Sequence, residues 1–126
     1  IKGSIDFFKW ARKKNISMAV CTNKQEKLAI DLLKKLDIFQ YFEYVAGSDT
    51  FSFNKPDPRH LTDVVEIIGG DLNKTIMIGD SEVDELSAQN AKLPFILVKD
   101  GYTEKSENEI IKINEQKLTI DNQEIQ

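Results

Sequence analysis

Two aspartates that follow a short apolar run are the residues of this sequence best suited to chemistry. The stretch TIMIGDSEVD runs from Thr75 to Asp84 and places Asp80 directly after a glycine at the end of the run. A buried strand of a parallel sheet has this composition, and ligands bind at the carboxyl edge of such sheets. Carboxylate oxygens are hard ligands of the kind that Mg²⁺ prefers, and one or two are usually enough. The stretch therefore predicts a Mg²⁺ site at Asp80 and Asp84.

The same stretch also has a simpler interpretation as the start of a helix. Asp80 or Ser81 is a suitable N-cap for a helix that begins near Glu82, and acidic residues are favourable in a first turn. Taken alone, the stretch supports the two interpretations about equally, because short motifs often match by chance. The rest of the chain has to decide between them.

Two further polar segments are predicted to reach the same edge of the sheet. Thr22 and Asn23 follow the apolar run 16–21, and Lys55 lies in the polar loop 47–58. A hydroxyl, a backbone amide, a lysine and two carboxylates suit a phosphoryl group, whose transfer develops charge on its equatorial oxygens. One cation about 4 Å from a phosphate oxygen contributes roughly 4 kcal/mol at an effective dielectric constant near 20. Thr22 alone is more simply a turn residue and Lys55 a solvated lysine, so the prediction rests on the combination.

The other reactive side chains are interpreted as structural. Cys21 precedes Thr22 and is better explained as a small core residue than as a nucleophile. His60 has no partner at ligand spacing and is interpreted as a surface or packing residue. Trp10 is assigned to core or helix packing.

The elements that must position the site alternate between helix and strand. Helices are predicted over 5–14, with Ser4 as N-cap, over 25–36, over 58–68 after an N-cap at Asp57, and over 82–91. Strands are predicted over 16–21, 42–46, 75–79 and 95–98, and a last helix near Ile110. This alternation predicts an α/β fold, a Rossmann-like parallel sheet flanked by helices. We assign a core domain to 1–115 and a polar tail to 116–126.

Composition limits the partners and the compartment. The chain of 126 residues is 40% hydrophobic and 30% charged, as expected of one soluble domain. A net charge of −4 with no basic run argues against a nucleic-acid partner. The single cysteine excludes an internal disulfide and indicates a reducing, cytoplasmic compartment. No stretch approaches the roughly 18 apolar residues of a membrane span.

Three motifs resemble, in order and spacing, those of the haloacid dehalogenase-like phosphohydrolases, and most closely the phosphoglycolate phosphatases among them. AVCTNK (19–24) resembles the family's second motif, NKPDP (54–58) its third and MIGDSEVD (77–84) its fourth, and KDGYTEK (99–105) is also similar. The resemblance covers residues 3–102. It implies a Rossmann-like fold and a Mg²⁺-dependent phosphatase that forms an aspartyl-phosphate. The implied partner is a small phosphorylated metabolite, with 2-phosphoglycolate first among the candidates.

The resemblance also implies a role for each residue of the site. Thr22 and the backbone amide of Asn23 hold the phosphate. Lys55 neutralises charge on the phosphate and on the attacking aspartate. Asp80 coordinates Mg²⁺, and Asp84 supports the site through water or the loop.

The family's first motif is absent from these 126 residues. That motif is an Asp-x-Asp pair after a hydrophobic strand, and it supplies the nucleophile and the general acid/base. In relatives its strand lies between the strands that end at Thr22 and Asp80. Its absence predicts a gap in the sheet, filled by an N-terminal segment, by another chain or by the tail around 118–120. The helical cap that selects substrate is also missing, and Lys92 stands where relatives commonly have glycine.

Two hypotheses of other classes remain open. A non-catalytic truncated remnant, or a phosphate- or partner-binding module of the same fold, would explain the missing aspartates. A receiver domain also uses an acid, a threonine and a lysine around Mg²⁺, but its acidic pair precedes the other two residues in sequence. Sugar-phosphate mutases and dehalogenases of the same superfamily also fit, because the cap that would separate them is missing.

Overall fold

A computed structural model describes residues 3–99 and 102–103 as an alternation of helices and short strands. The helices are α1 (Ser4–Lys13), α2 (Glu26–Lys35), α3 (Arg59–Ile67) and α4 (Glu82–Ala91). The strands are β1 (Ala19–Cys21), β2 (Tyr44–Ala46), β3 (Met77–Gly79), β4 (Phe95–Lys99) and β5 (Tyr102–Thr103). None of the helices in this part of the chain is long and apolar enough to span a membrane. The predicted α/β class is confirmed, whereas the last predicted helix and the tail 116–126 lie outside the described residues.

The strands form two separate hydrogen-bonded sheets within the described ranges. β1 pairs in parallel with β2, while β3 pairs in parallel with β4, and β4 pairs antiparallel with β5. β1 and β3 are not paired with each other, and no strand of residues 3–99 or 102–103 lies between them. This arrangement agrees with the gap that the missing first motif predicts. β5 is not among the predicted elements, because two residues are too few to show a period of two.

A small apolar cluster joins the two sheets. Leu61 of α3, Ala88 of α4 and Leu93 pack together, and none of them is more than 8% exposed. Cys21 of β1 and Met77 of β3 both pack against this cluster. The helices α3 and α4 also contact each other, and they lie against β1 and β3 respectively. The helix pair therefore connects β1 and β3 through one shared core.

Several element boundaries differ from the predicted ones. Ser4 is the first residue of α1 rather than its N-cap, and the cap position is Gly3, whose φ of 84° favours a residue without a side chain. The strand predicted over 16–21 has ladder partners only for its last three residues. The start of α4 is as predicted, because Oγ of Ser81 accepts the backbone N–H of Asp84 at 3.2 Å.

The leucines that predict α2 lie mostly on its exposed side. Leu28, Leu32 and Leu36 are 54%, 45% and 55% exposed, whereas Ala29 is buried. The spacing of the leucines thus predicts the helix correctly but does not identify the face that it buries.

Candidate functional site

A buried ion pair lies at the centre of the predicted site. Nζ of Lys55 donates a hydrogen bond to Oδ1 of Asp84, and each side chain is only 9% exposed. Oδ2 of Asp84 accepts the backbone N–H of Asp80 at 3.1 Å. Burial acts to raise the pKa of Asp84, but the hydrogen bond and positive charge of Lys55 outweigh it and hold the pKa below its ordinary value. Asp84 is therefore an ionised carboxylate that links the polar loop 47–58, here named the lysine loop, to the end of β3.

Gly79 is the residue that lets Asp84 approach the end of β3. A Cβ at position 79 would overlap the Cβ and the carboxylate of Asp84. Only glycine permits this distance between a strand end and a neighbouring side chain. The helix-start interpretation of the stretch is confirmed, because Ser81 caps α4. Asp84 of the same turn pairs with Lys55, and the Mg²⁺ site stays a prediction.

Asp80 follows β3 directly and is exposed to solvent. An exposed carboxylate at a strand end fits Mg²⁺, which keeps several waters and needs only one or two protein carboxylates. Asp84 differs, because both of its oxygens accept hydrogen bonds from protein donors. In the described part of the chain, no three Asp, Glu, His or Cys side chains cluster as a ready metal site. Asp80 is thus the more accessible of the two carboxylates, and Mg²⁺ ligation by either aspartate stays a prediction.

The turn after β1 carries Thr22 and Asn23 towards the lysine loop. Oγ1 of Thr22 accepts the backbone N–H of Lys24 at 3.1 Å, as expected of a turn residue. The side-chain amide of Asn23 donates to the carbonyl oxygen of Lys55 and accepts its backbone N–H, each at 3.1 Å. Asn23, Lys55 and Asp84 therefore form one connected set. Asp80 joins it through its backbone, and Thr22 is next to Asn23 in the chain.

Asn90 is a residue of this region that the sequence does not single out. It lies on α4, and its Nδ2 donates to the carbonyl oxygen of Pro56 at 3.1 Å. The only local signal is weak, since asparagine is a poor helix former and its presence in a helix suggests another role.

Cys21 and His60 are packing residues beneath the site. Burial raises the pKa of the Cys21 thiol to about 12, so little reactive thiolate exists at neutral pH. The thiol lies 3.6 Å from the carbonyl oxygen of His60. His60 is fully buried, its Nε2 lies 3.1 Å from the carbonyl oxygen of Gly47, and its ring meets the ring of Phe51 edge-on. Of the two interpretations of His60, packing is the one confirmed.

His60 should make the stability of the fold sensitive to mild acid. Burial lowers the pKa of its ring in the folded chain below the ordinary value of 6.5. As the pH falls below about 6.5, the unfolded chain takes up the proton first, so stability decreases until the folded ring is protonated as well. We expect a lower midpoint of urea denaturation at about pH 5.5 than at about pH 7.5.

The matched variant for this experiment is His60→Gln. The chain contains one histidine, so the variant has no imidazole to titrate. Glutamine keeps a side-chain donor for the carbonyl of Gly47. The decrease in the midpoint of urea denaturation between the two pH values should be smaller in the variant. An equal decrease in both proteins would contradict the role of His60 in this pH dependence.

Known proteins share the sequence and the fold of this chain. Residues 1–98 match the family model of haloacid dehalogenase-like hydrolases. A phosphoglycolate phosphatase from Agrobacterium fabrum is 51% identical over 89 residues, which cover 71% of this chain and 38% of that protein. A phosphoglycolate phosphatase from Mesorhizobium japonicum is 40% identical over 103 residues, which cover 82% of this chain and 45% of that protein. The crystal structure of a HAD-superfamily hydrolase from Geobacter sulfurreducens matches with a TM-score of 0.75 at 28% identity, over 90% of this chain and 55% of that one. The chain spans less than half the length of these curated relatives.

Proposed function

This chain belongs to the haloacid dehalogenase-like hydrolase family, and we propose on that basis that it forms the phosphate-binding part of a Mg²⁺-dependent phosphatase. The proposed substrates are small phosphate monoesters, with 2-phosphoglycolate first because similar proteins are phosphoglycolate phosphatases. The observation that supports the proposal most directly is the buried pair of Lys55 and Asp84. It fixes a cation next to the strand end that carries Asp80 and the turn that carries Asn23.

In this proposal each residue has a distinct task towards the phosphate. The hydroxyl of Thr22 and the backbone N–H of Asn23 donate to phosphate oxygens, and Lys55 neutralises their charge. Asp84 keeps the lysine charged and in place. Bound Mg²⁺, held by Asp80, would supply further positive charge to the phosphate oxygens. Donors fixed before the reaction stabilise phosphoryl transfer because they need no reorganisation as charge develops.

The nucleophile has to come from outside these 126 residues, which contain no Asp-x-Asp pair. We propose that the strand carrying it lies between β1 and β3 and is supplied by an N-terminal segment or a second chain. Two features support this position: β1 and β3 each pair with only one neighbour among the described strands, and Ile78 of β3 is 37% exposed. A carboxylate of the added strand would attack phosphorus as the ester P–O bond breaks. The second aspartate would protonate the ester oxygen so that it leaves as an alcohol, and water would then hydrolyse the aspartyl-phosphate.

A fusion experiment tests this function. The 126-residue chain should not hydrolyse p-nitrophenyl phosphate, whereas an N-terminal fusion of an apolar strand ending in Asp-x-Asp should give Mg²⁺-dependent hydrolysis. The control fusion carries Asn-x-Asp, which keeps the strand but removes the nucleophile. Hydrolysis by the unfused chain at rates typical of the family, or no gain from the Asp-x-Asp fusion, would contradict the proposal.

The second candidate is a non-catalytic phosphate-binding module, for which the fixed Lys55 and the Asn23 turn would suffice without a nucleophile. Binding of inorganic phosphate, measured together with the activity of the fusion, separates the two functions. If the chain binds phosphate through Lys55 while the Asp-x-Asp fusion stays inactive, the module is the better description.

A further inference from the structure

The side chain of Asn23 forms two hydrogen bonds with a single residue of the lysine loop. Its Nδ2–H donates to the carbonyl oxygen of Lys55, and its Oδ1 accepts the backbone N–H of Lys55. Both bonds are 3.1 Å long and join residues that are 32 positions apart in the chain. Within residues 3–99 and 102–103, the main chain of Lys55 makes no other hydrogen bond. The side-chain amide of Asn23 therefore bonds to both main-chain groups of Lys55, as a neighbouring β-strand would.

Asn90 of α4 anchors Pro56, the next residue of the lysine loop. Its Nδ2 donates to the carbonyl oxygen of Pro56, so two successive carbonyls are fixed by amides from the β1 turn and from α4. The same helix carries Asp84, which accepts Nζ of Lys55. The main chain and the ammonium group of Lys55 are thus anchored at separate points.

We propose that Asn23 is a positioning residue whose side chain joins the Thr22 turn and the lysine loop into one phosphate-binding unit, with Asn90 as a second anchor. A lysine side chain is long and flexible, so its ammonium group is placed accurately only if its main chain is fixed. An amide suits this task because it offers a donor and an acceptor together, whereas a carboxylate lacks the donor. The identity of the bound group rests on the proposed function; the anchoring itself does not.

Hydrogen exchange of the Lys55 amide tests the anchoring directly. In Asn23→Ala the Lys55 amide should exchange at least about tenfold faster than in the unaltered chain. The matched control is Asn54→Ala, an exposed asparagine of the same loop whose side chain bonds to none of the described residues, and it should leave Lys55 protected. The Met77 amide, which donates to the carbonyl of Pro94 at 2.9 Å, reports in every variant that the fold is intact. Equal protection of Lys55 in the two variants, with Met77 protected in both, would overturn the proposal.

A titration with inorganic phosphate and Mg²⁺, followed by NMR, tests the positioning. In the unaltered chain the side-chain signals of Thr22 and Lys55 should shift with one apparent Kd. In Asn23→Ala the Lys55 response should weaken by several-fold or vanish, although the backbone N–H of residue 23 remains. A Lys55 response in Asn23→Ala equal to that in Asn54→Ala would overturn the proposal. If the unaltered chain shows no phosphate response at Lys55, the proposed function fails, while the exchange experiment still decides the role of Asn23.

Discussion

Replacing Lys55 with methionine should lower the free energy of unfolding by about 3–5 kcal/mol. Methionine keeps much of the apolar stem but leaves the carboxylate of Asp84 buried and ionised without its cation. Because the Lys55 and Asp84 side chains are each only 9% exposed, water cannot replace the lost partner without opening the site. Urea denaturation at neutral pH measures the loss, and binding of inorganic phosphate should be lost as well.

Two controls separate the buried charge from a general effect of removing a lysine. Lys27 is 87% exposed and pairs with Asp31 across one helical turn at 3.9 Å, so Lys27→Met should change stability by only a few tenths of a kcal/mol. Adding Asp84→Asn to Lys55→Met should recover part of the stability, because an amide leaves no unpaired charge. An equal loss from Lys27→Met, or no recovery in the double variant, would contradict the explanation.

Gly79→Ala should lower the free energy of unfolding by about 2–4 kcal/mol, through overpacking and through displacement of a paired charge. The added methyl group would overlap the Cβ and the carboxylate of Asp84. Asp84 lies in the first turn of α4, so it can retreat only if the helix moves or if its bond to Lys55 breaks. Thermal denaturation measures the stability loss, and weaker phosphate binding should accompany it.

Gly70→Ala is the matched control for this substitution. A methyl group at position 70 would meet Cγ1 of Val65 at 3.0 Å and the carbonyl oxygen of Val65 at 3.3 Å, whereas at position 79 it would overlap Asp84 outright. Gly70→Ala should therefore lower the free energy of unfolding by clearly less than Gly79→Ala. If both substitutions lower the free energy of unfolding equally, the close approach of Asp84 to Gly79 is not the reason for the loss.

The sequence predicts the elements of this fold best where their signals are local. The predicted range of the fourth helix, 82–91, agrees with α4 because its cap at Ser81 and its first-turn acids are adjacent in the chain. The strand over 16–21 is predicted too long, because its length depends on pairing with a distant strand and only 19–21 find partners. The face that α2 buries depends in the same way on its neighbours, which the spacing of its leucines does not reveal.

The members of the candidate site could be predicted from strand ends, but their contacts could not. Lys55 and Asp84 are 29 residues apart, and their pairing depends on how α4 meets the lysine loop. The side-chain bonds of Asn23 and Asn90 depend on the path of the same loop. Residue types indicate which groups suit a phosphate, and the family resemblance gives Asp80 and Asp84 different tasks, but the pairing of Asp84 with Lys55 is visible only in the three-dimensional arrangement.

The two sheets are joined by side chains rather than by a strand ladder, and this affects how the described chain unfolds. A ladder of hydrogen bonds couples neighbouring strands residue by residue, but β1 and β3 are coupled by packing against Leu61, Ala88 and Leu93 and by the bonds that link Asn23, Lys55 and Asp84. Regions coupled by few contacts can open as distinct cooperative units. The apolar cluster and these bonds together therefore determine whether the two halves unfold together or one after the other.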